Sequence, residues 1–286
     1  MIMRNDDRTW RVQFDSIVDV VRWLRDTPAT WKGCEYSRTS AASRDWDLGV
    51  GYDGALKLAH DGWPEGVENI FADIASLPNK ARPERIYDIA GDFADVPRAS
   101  AGDPFSMVRR GSGHRQRPVM TIGVNTIASG GTKARVLAMY GAALVSVIDK
   151  LENKGIRVEL YGMASYQLSP CNVRASWLVK GAGDAVDLSA IAFGIGHPAM
   201  MRRLSFAMVE RSPARINSSY GQCGPINRDG FVDIAPDALL VEGVGTAYYM
   251  GQDKSLAEMV KVAERQLNEA SVKLGGEPIA ALEEDA

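Results

Sequence analysis

Apolar residues recur along the chain in two distinct rhythms. Across 132–153, Val136, Leu137, Tyr140, Leu144, Val147, Ile148 and Leu151 return every three or four residues. That period stacks side chains on one side of an α-helix. Thr132 offers a capping hydroxyl before it, and Gly155 offers the left-handed residue favoured just past a helix end. The flanking runs, PVMTIGV (118–124) and IRVELYGMAS (156–165), are compact and apolar, as strands buried on both faces are. Strand, long amphipathic helix and strand predict a β-α-β crossover over 118–163, with parallel strands.

The same reading places other elements. Phe14, Ile17, Val21 and Leu24 predict a helix, with Asp15 or Ser16 as N-cap and Thr27-Pro28 as its stop. Helices are expected over 52–60 and 64–77, and the polar CEYSRTSAASRDWD (34–47) reads as a surface loop. Residues 171–181 alternate Val173, Ala175, Trp177 and Val179 with polar partners, predicting a half-exposed strand. After Pro198 a helix is expected with Met201, Leu204, Ser205 and Met208 on one side, and 238–244 reads as a strand. Ser255 and Glu258 form a capping box for a last helix, buried through Leu256, Met259, Val260, Ala263, Leu267 and Ala270. Together these predict an α/β fold with a mostly parallel central sheet and helices on both faces. A small, Trp-rich, largely helical N-terminal region precedes it. The expected division is 1–80, an irregular basic connecting segment at 81–117, and an α/β domain at 118–286.

Composition narrows the function classes. Of 286 residues, 45% are hydrophobic and 24% charged, ordinary for a globular protein. A net charge of −3 and a pI near 5.7 give no global attraction to nucleic acid or anionic membrane. No apolar run approaches the roughly 18 residues of a membrane span. Residues 1–11 are too polar for a secretory signal. Cys34, Cys171 and Cys223 are sparse and form no CxxC pair, which fits a reducing compartment, the cytoplasm of a bacterial or phage-infected cell. Trp10, Trp23, Trp31, Trp46 and Trp63 crowd the first zone, read as core and partner-facing anchors before base-stacking platforms.

Candidate chemistry is sparse. Arg109, Arg110, Arg115 and Arg117, spaced by glycines and joined by His114, form the one dense basic cluster and a nucleic-acid-binding candidate. The turn at 125–133 meets a helix N-terminus, which favours anions. It fits neither the Walker nor the GxGxxG spacing, so nucleotide hydrolysis is not expected. His60, His114 and His197 lack zinc-site spacing. Ser218, Ser219 and Cys223 lie in a Gly-rich stretch that reads as a turn, and Asp88, Asp92, Asp95 and Asp103 read as loop carboxylates.

The order strand, polar turn NTIAS, long helix and second strand resembles, by topology and weakly by motif, the opening of a von Willebrand factor A-type domain, over about 118–270. In that family a DxSxS turn supplies oxygen ligands suited to Mg²⁺. Here Asn125 stands in place of the Asp, Ile127 in place of the first Ser, and Ser129 matches. The resemblance implies an interaction module with a degenerate metal-site turn (Asn125, Ser129, Thr132), in which Mg²⁺ is disfavoured and no cofactor is expected. The leading expectation is a non-enzymatic intracellular protein-interaction or assembly module, with a protein partner or self-association. The alternative is a nucleic-acid-binding protein, for single-stranded DNA among others, using residues 109–117 and the N-terminal aromatics. A small-molecule enzyme acting at the 125–132 turn is the third.

Overall fold

The computed structural model describes residues 1–67 (apart from 7 and 32), 85–89, 93–94, 96–110, 119–153, 156–216, 220–226, 235 and 237–241, with Lys261 and Arg265. Strands β1 (Ile2–Asp6) and β2 (Thr9–Phe14) precede helix α1 (Ile17–Asp26). Two single-turn helices, α2 (Tyr36–Thr39) and α3 (Arg44–Asp47), lead to α4 (Gly51–Asp61). A small antiparallel sheet follows, built from β3 (Arg85–Asp88), β4 (Phe93–Ala94) and β5 (Met107–Arg110), with α5 (Val96–Ser100) between the last two. The chain continues through β6 (Val119–Asn125), α6 (Ala134–Asn153), β7 (Arg157–Gln167) and β8 (Asn172–Lys180). After α7 (Leu188–Ile191) come two π-helical stretches, Ala192–Gly196 and Met200–Ser205, then α8 (Phe206–Glu210), β9 (Gln222–Cys223) and β10 (Leu239–Val241).

The expected β-α-β unit is present. β6 and β7 are parallel from Val119↔Arg157 to Asn125↔Met163, and α6 joins them. Its apolar side buries Val136, Tyr140, Leu144, Val147, Ile148 and Leu151 against Ile122, Val124, Val158 and Leu160. Hydrophobic periodicity suffices here because burying one face of a helix on one face of a sheet is what stabilises the unit.

The sheet around it is mixed rather than mostly parallel. Its order is β1-β2-β8-β7-β6-β10, with β9 joined to β7 beyond the end of β6. β6 is parallel to β7 and β10, and β2 to β8, whereas β1–β2, β7–β8 and β7–β9 are antiparallel. The short connection at 168–171 leaves no room for a crossover, so β8 must turn back along β7.

The first zone is not a separate helical region. β2 pairs with β8 through Trp10↔Val173, Val12↔Ala175 and Phe14↔Trp177, placing the N-terminus in the same sheet. Trp10, Val12 and Phe14 are buried at the two-residue period of a strand. Phe14 ends that strand; α1 begins only at Ile17, with Ser16 accepting from the Asp19 N–H. β8, flanked by β2 and β7, alternates between part-buried and buried residues over Asn172–Ala175, as expected, while Ser176 and Trp177 on its two faces are both at 0% exposure.

Among the described residues, α1, α4, α6 and the 192–210 segment pack on one face of the sheet, through Trp10, Phe14, Ala175 and Trp177 at one end and Ile122 and Leu160 at the other. The expected last helix lies outside the described residues, apart from Lys261 and Arg265, which are helical. The expected 64–77 helix is described only to residue 67 and is helical there. No helix among the described residues is long and apolar enough to cross a membrane. α6 meets the first π-helical stretch backbone to backbone: a Cβ on Gly141 would lie 2.1 Å from the Gly196 Cα. That contact fixes where the second stretch, and its two arginines, can sit.

Candidate functional site

The segment after Pro198 is helical as expected, but Met200–Ser205 has π-helical bonding. Hydrogen bonds from i to i+5 widen a turn and bring successive side chains closer in direction. Arg202 and Arg203 therefore both point into the protein, 1% and 0% exposed. With Arg211, just past α8, they staple residues 24–46 to the helical layer. Arg211 donates from Nε to the Thr27 carbonyl (2.6 Å) and from Nη2 to that of Leu24 (2.9 Å). Arg203 donates to the carbonyls of Ser37, Ser40 and Ala41 at 2.8–3.0 Å. Arg202 donates from Nη1 to the carbonyls of Trp46 (2.7 Å) and Asp45 (3.4 Å), and from Nη2 to those of Thr132 and Ser129. The stretch expected to be a surface loop is thus anchored through its main chain.

Two of these arginines have a carboxylate beside them. Arg203 pairs with Asp47, at 2.7 Å from Nε and 2.6 Å from Nη2. Asp47 also accepts from the amides of Ser43, Gly49 and Gly51. Burial alone would raise its pKa, but these amides and the Arg203 guanidinium outweigh it and hold it below the ordinary value. Leu48, in the left-handed region at φ 60°, closes this turn. Arg211 has Glu210 at 4.0 Å. Glu210 accepts from the Ser37 amide (2.7 Å), the Ser37 hydroxyl (2.5 Å) and the Tyr220 hydroxyl (2.6 Å). Burial nevertheless pushes Glu210 up, and burial together with that carboxylate pushes Tyr220 up.

Arg202 differs. Among the described residues no carboxylate lies within ion-pair distance of it; its four Nη hydrogens are spent on carbonyls, and the buried Nε–H has no partner among those residues. Its guanidinium lies 4.1 Å over the Trp46 ring, a cation–π contact. Burial pulls its pKa down to about 10, against the opposing pull of Asp47. A buried cation with no anion beside it is costly.

Arg202 and Arg203 line a cleft of about 230 Å³. Tyr36, Trp46, Phe206 and Tyr220 give it aromatic walls, and Ser40 and Ser43 lie at its exposed mouth. Phe206 and Tyr220 are stacked at 3.8 Å and 11°, and Phe206 meets Tyr166 at 6.0 Å. The Tyr166 hydroxyl, raised in pKa by burial, is 2.5 Å from Ser205 Oγ.

The sequence candidates fall elsewhere or take other roles. In the turn after β6, the Asn125 amide donates to the Gly224 carbonyl at 3.2 Å, tying the end of β6 to the β9 segment. Ser129 Oγ accepts from the Gly131 amide (3.3 Å). The carbonyls of Ser129 and Thr132 accept from Arg202, so a guanidinium occupies part of this turn. Arg109 and Arg110 lie in β5, in a strand rather than a loop, with Arg110 in register with Arg85. Arg115, Arg117 and His114 lie outside the described residues, as do Asp92, Asp95, Ser218 and Ser219. His60 is exposed, 2.8 Å from Asp61. His197 is buried, accepts from the Ala199 amide at Nδ1 (3.0 Å), and burial pulls it down to about 4. Cys223 stands in β9 rather than in a turn, and the three cysteines are free thiols. Among the described residues no group of three or more His, Cys, Asp or Glu could hold a metal ion.

Sequence reading missed Arg202, Arg203, Asp47 and Glu210. The available signal was an Arg-Arg pair flanked on both sides by apolar residues, in Met200-Met201-Arg202-Arg203-Leu204.

The model of one protein family matches residues 3–262: DUF7192, described as a domain of unknown function. The match spans most of the chain, which belongs to that family. No curated protein matches it. No solved structure matches it either.

Proposed function

We propose that this DUF7192 chain is a non-enzymatic protein-interaction module whose cleft receives one anionic group of a partner protein. The carrying observation is Arg202, a buried guanidinium lining the cleft with no carboxylate beside it among the described residues. An anion from outside would supply the charge that Asp47 supplies to Arg203. At about 230 Å³ the cleft is smaller than the roughly 300–1,000 Å³ of cofactor and drug-sized sites, which suits a single projecting group. The neighbouring acids are already engaged, Asp47 by three amides and Arg203, and Glu210 by Ser37 and Tyr220, which favours binding over proton transfer. The sequence order of 118–270, which resembles a von Willebrand factor A-type domain, would imply the same class of function. The free thiols suit a reducing bacterial or phage-infected cytoplasm.

Anion-dependent stability tests this reading. Sodium acetate, against sodium chloride at equal ionic strength, is expected to raise the unfolding midpoint as a ligand of the native state does. Equal midpoints in the two salts refute it.

A second reading keeps nucleic acid as partner. The backbone register pairs Arg85 with Arg110 in the same small sheet that holds Arg109, which brings three basic positions of the chain together for a polyanion. Changing Arg109, Arg110, Arg115 and Arg117 together to Ala should weaken binding of a fluorescent single-stranded oligonucleotide and flatten its salt dependence. Absence of binding by the unaltered protein at low salt ends that reading.

A further inference from the structure

We infer that the outer edge of β1 pairs with the same edge of a second copy of this chain, antiparallel, with Met3 on the two-fold axis. This goes beyond the cleft reading, because it assigns a second surface and its occupant.

β1 ends the large sheet. Among the described residues β2 pairs with one side of it and no strand pairs with the other. Its register with β2 runs unbroken from Ile2↔Gln13 to Asp6↔Thr9. Sheet edges are usually blunted by a proline, a bulge or a lysine. β1 has neither proline nor lysine, and its register shows no bulge. Arg4 stands on the face opposite Met3, since successive residues of a strand alternate. Ile2 and Met3 are 38% and 51% exposed.

Residues opposed across paired strands share a face. Met3 pairs with Val12, Val12 with Ala175, and Ala175 with Ala164. Val12, Ala175 and Ala164 are at most 1% exposed, so a buried apolar row crosses the sheet and runs out at β1 on a half-exposed methionine. The next row on the same face passes through Tyr166, Val173 and Trp10, and it ends on Asn5, whose amide suits water. Only the first of these rows ends unfinished.

A second copy finishes it. Two-fold pairing of β1 with itself must set one residue on the axis, because opposed side chains share a face. With Met3 there, the row continues through the second Met3 into Val12 and Ala175 of the second copy. Arg4 then lies opposite Ile2 of that copy, and no two like charges are opposed over Ile2–Arg4. With Arg4 on the axis, two arginines would be opposed, which destabilises a sheet. With Asn5 on the axis, Met3 would lie past the end of the second copy's β1 and its row would stay uncovered. An unrelated strand could meet the backbone, but a copy brings a buried row that ends in the same half-exposed side chain.

A short edge makes a weak, reversible contact, so the test is sedimentation of the full chain over a series from micromolar to millimolar. The unaltered chain should pass from one to two copies. Met3→Lys, a charge placed on the edge, should weaken the dimer about 30-fold, since two-fold symmetry counts the change twice. Met3 is half exposed, so this variant should fold, which an unchanged unfolding midpoint checks. Met3→Cys sets two thiols opposite each other, with Cα atoms about 4.5–5.5 Å apart, within disulfide reach. Under mild oxidation it should give a covalent dimer that the unaltered chain, with its own three thiols, does not. A single-chain mass throughout the series overturns the inference, and it is the result expected if the edge instead serves an extended segment of another protein. A dimer that Met3→Lys leaves unchanged also overturns it. Cross-linking through Arg4→Cys in preference to Met3→Cys overturns the register. None of these outcomes bears on the cleft, whose lining contains no residue of β1.

Discussion

The β6–α6–β7 unit and residues 27–50 are both locked into the helical layer, yet opposite kinds of chemistry hold them. In the first, Leu144, Ile148 and Leu151 fit against strand residues such as Ile122 and Leu160, and main-chain groups are satisfied within the elements themselves. In the second, short helices of four residues satisfy little of their own backbone. Three arginines complete it instead, donating to carbonyls of Leu24, Thr27, Ser37, Ser40, Ala41, Asp45 and Trp46. A hydrophobic contact tolerates a change of shape; a fork of directed donors does not. The difference teaches where an adaptable scaffold ends and a site with fixed geometry begins.

The sharpest way to break the comparison is at Arg203. Arg203→Met strands the buried Asp47 carboxylate and should cost about 3–5 kcal/mol in urea unfolding. Arg203→Lys, which keeps the charge and loses the fork, should recover less than half of that. A full recovery would mean that charge alone holds the segment. In the other region Leu144→Ala should cost about 2–5 kcal/mol, while Leu144→Met should cost less than about 1.5 kcal/mol. A larger loss for Leu144→Met would erase the contrast in tolerance.

Acidity sharpens the comparison further. His197, buried and lowered from 6.5 to about 4, is neutral when folded. Between those values the unfolded chain holds a proton that the folded chain lacks, so stability falls as pH drops through the window. The loss should be about 3 kcal/mol between pH 7 and pH 4, and His197→Gln should remove most of that slope. An unchanged slope would place the acid sensitivity on other groups. The smallest effect belongs to Leu48, whose φ of 60° suits glycine. Leu48→Gly should stabilise by about 1 kcal/mol, read as a higher midpoint; a lower midpoint would show that the leucine side chain contributes more than the strain it imposes.

The two regions were unequally legible in the sequence. α6 and its strands follow directly from spacing, because apolar periodicity records which side of an element is buried. The arginine staples leave no such trace. Their acceptors are carbonyls, which every residue carries, and those in residues 24–46 stand 156–187 positions away in sequence. β2 was hidden for another reason. Its Trp10, Val12 and Phe14 alternate with polar residues, but Phe14 also continues the helical spacing of Ile17, Val21 and Leu24. The strand direction of β8 was set by the short 168–171 connection, a matter of chain geometry that hydrophobic pattern does not encode. At the turn after β6, Asn125 and Ser129 were rightly singled out as polar, but their side chains meet main-chain groups of Gly224 and Gly131.

The wide sequence separation of the staples has a consequence for biosynthesis. Ser37 waits for Arg203, 166 positions later, before its carbonyl is taken up. At about 5–20 residues per second of ribosomal elongation, that interval is about 10–30 s. Through it residues 27–50 emerge with their carbonyls hydrated, while β6, α6 and β7 complete their own contacts from local sequence. The cleft cannot be complete until Arg202, Arg203 and Tyr220 have been synthesised, whereas β6, α6 and β7 precede all three in the chain.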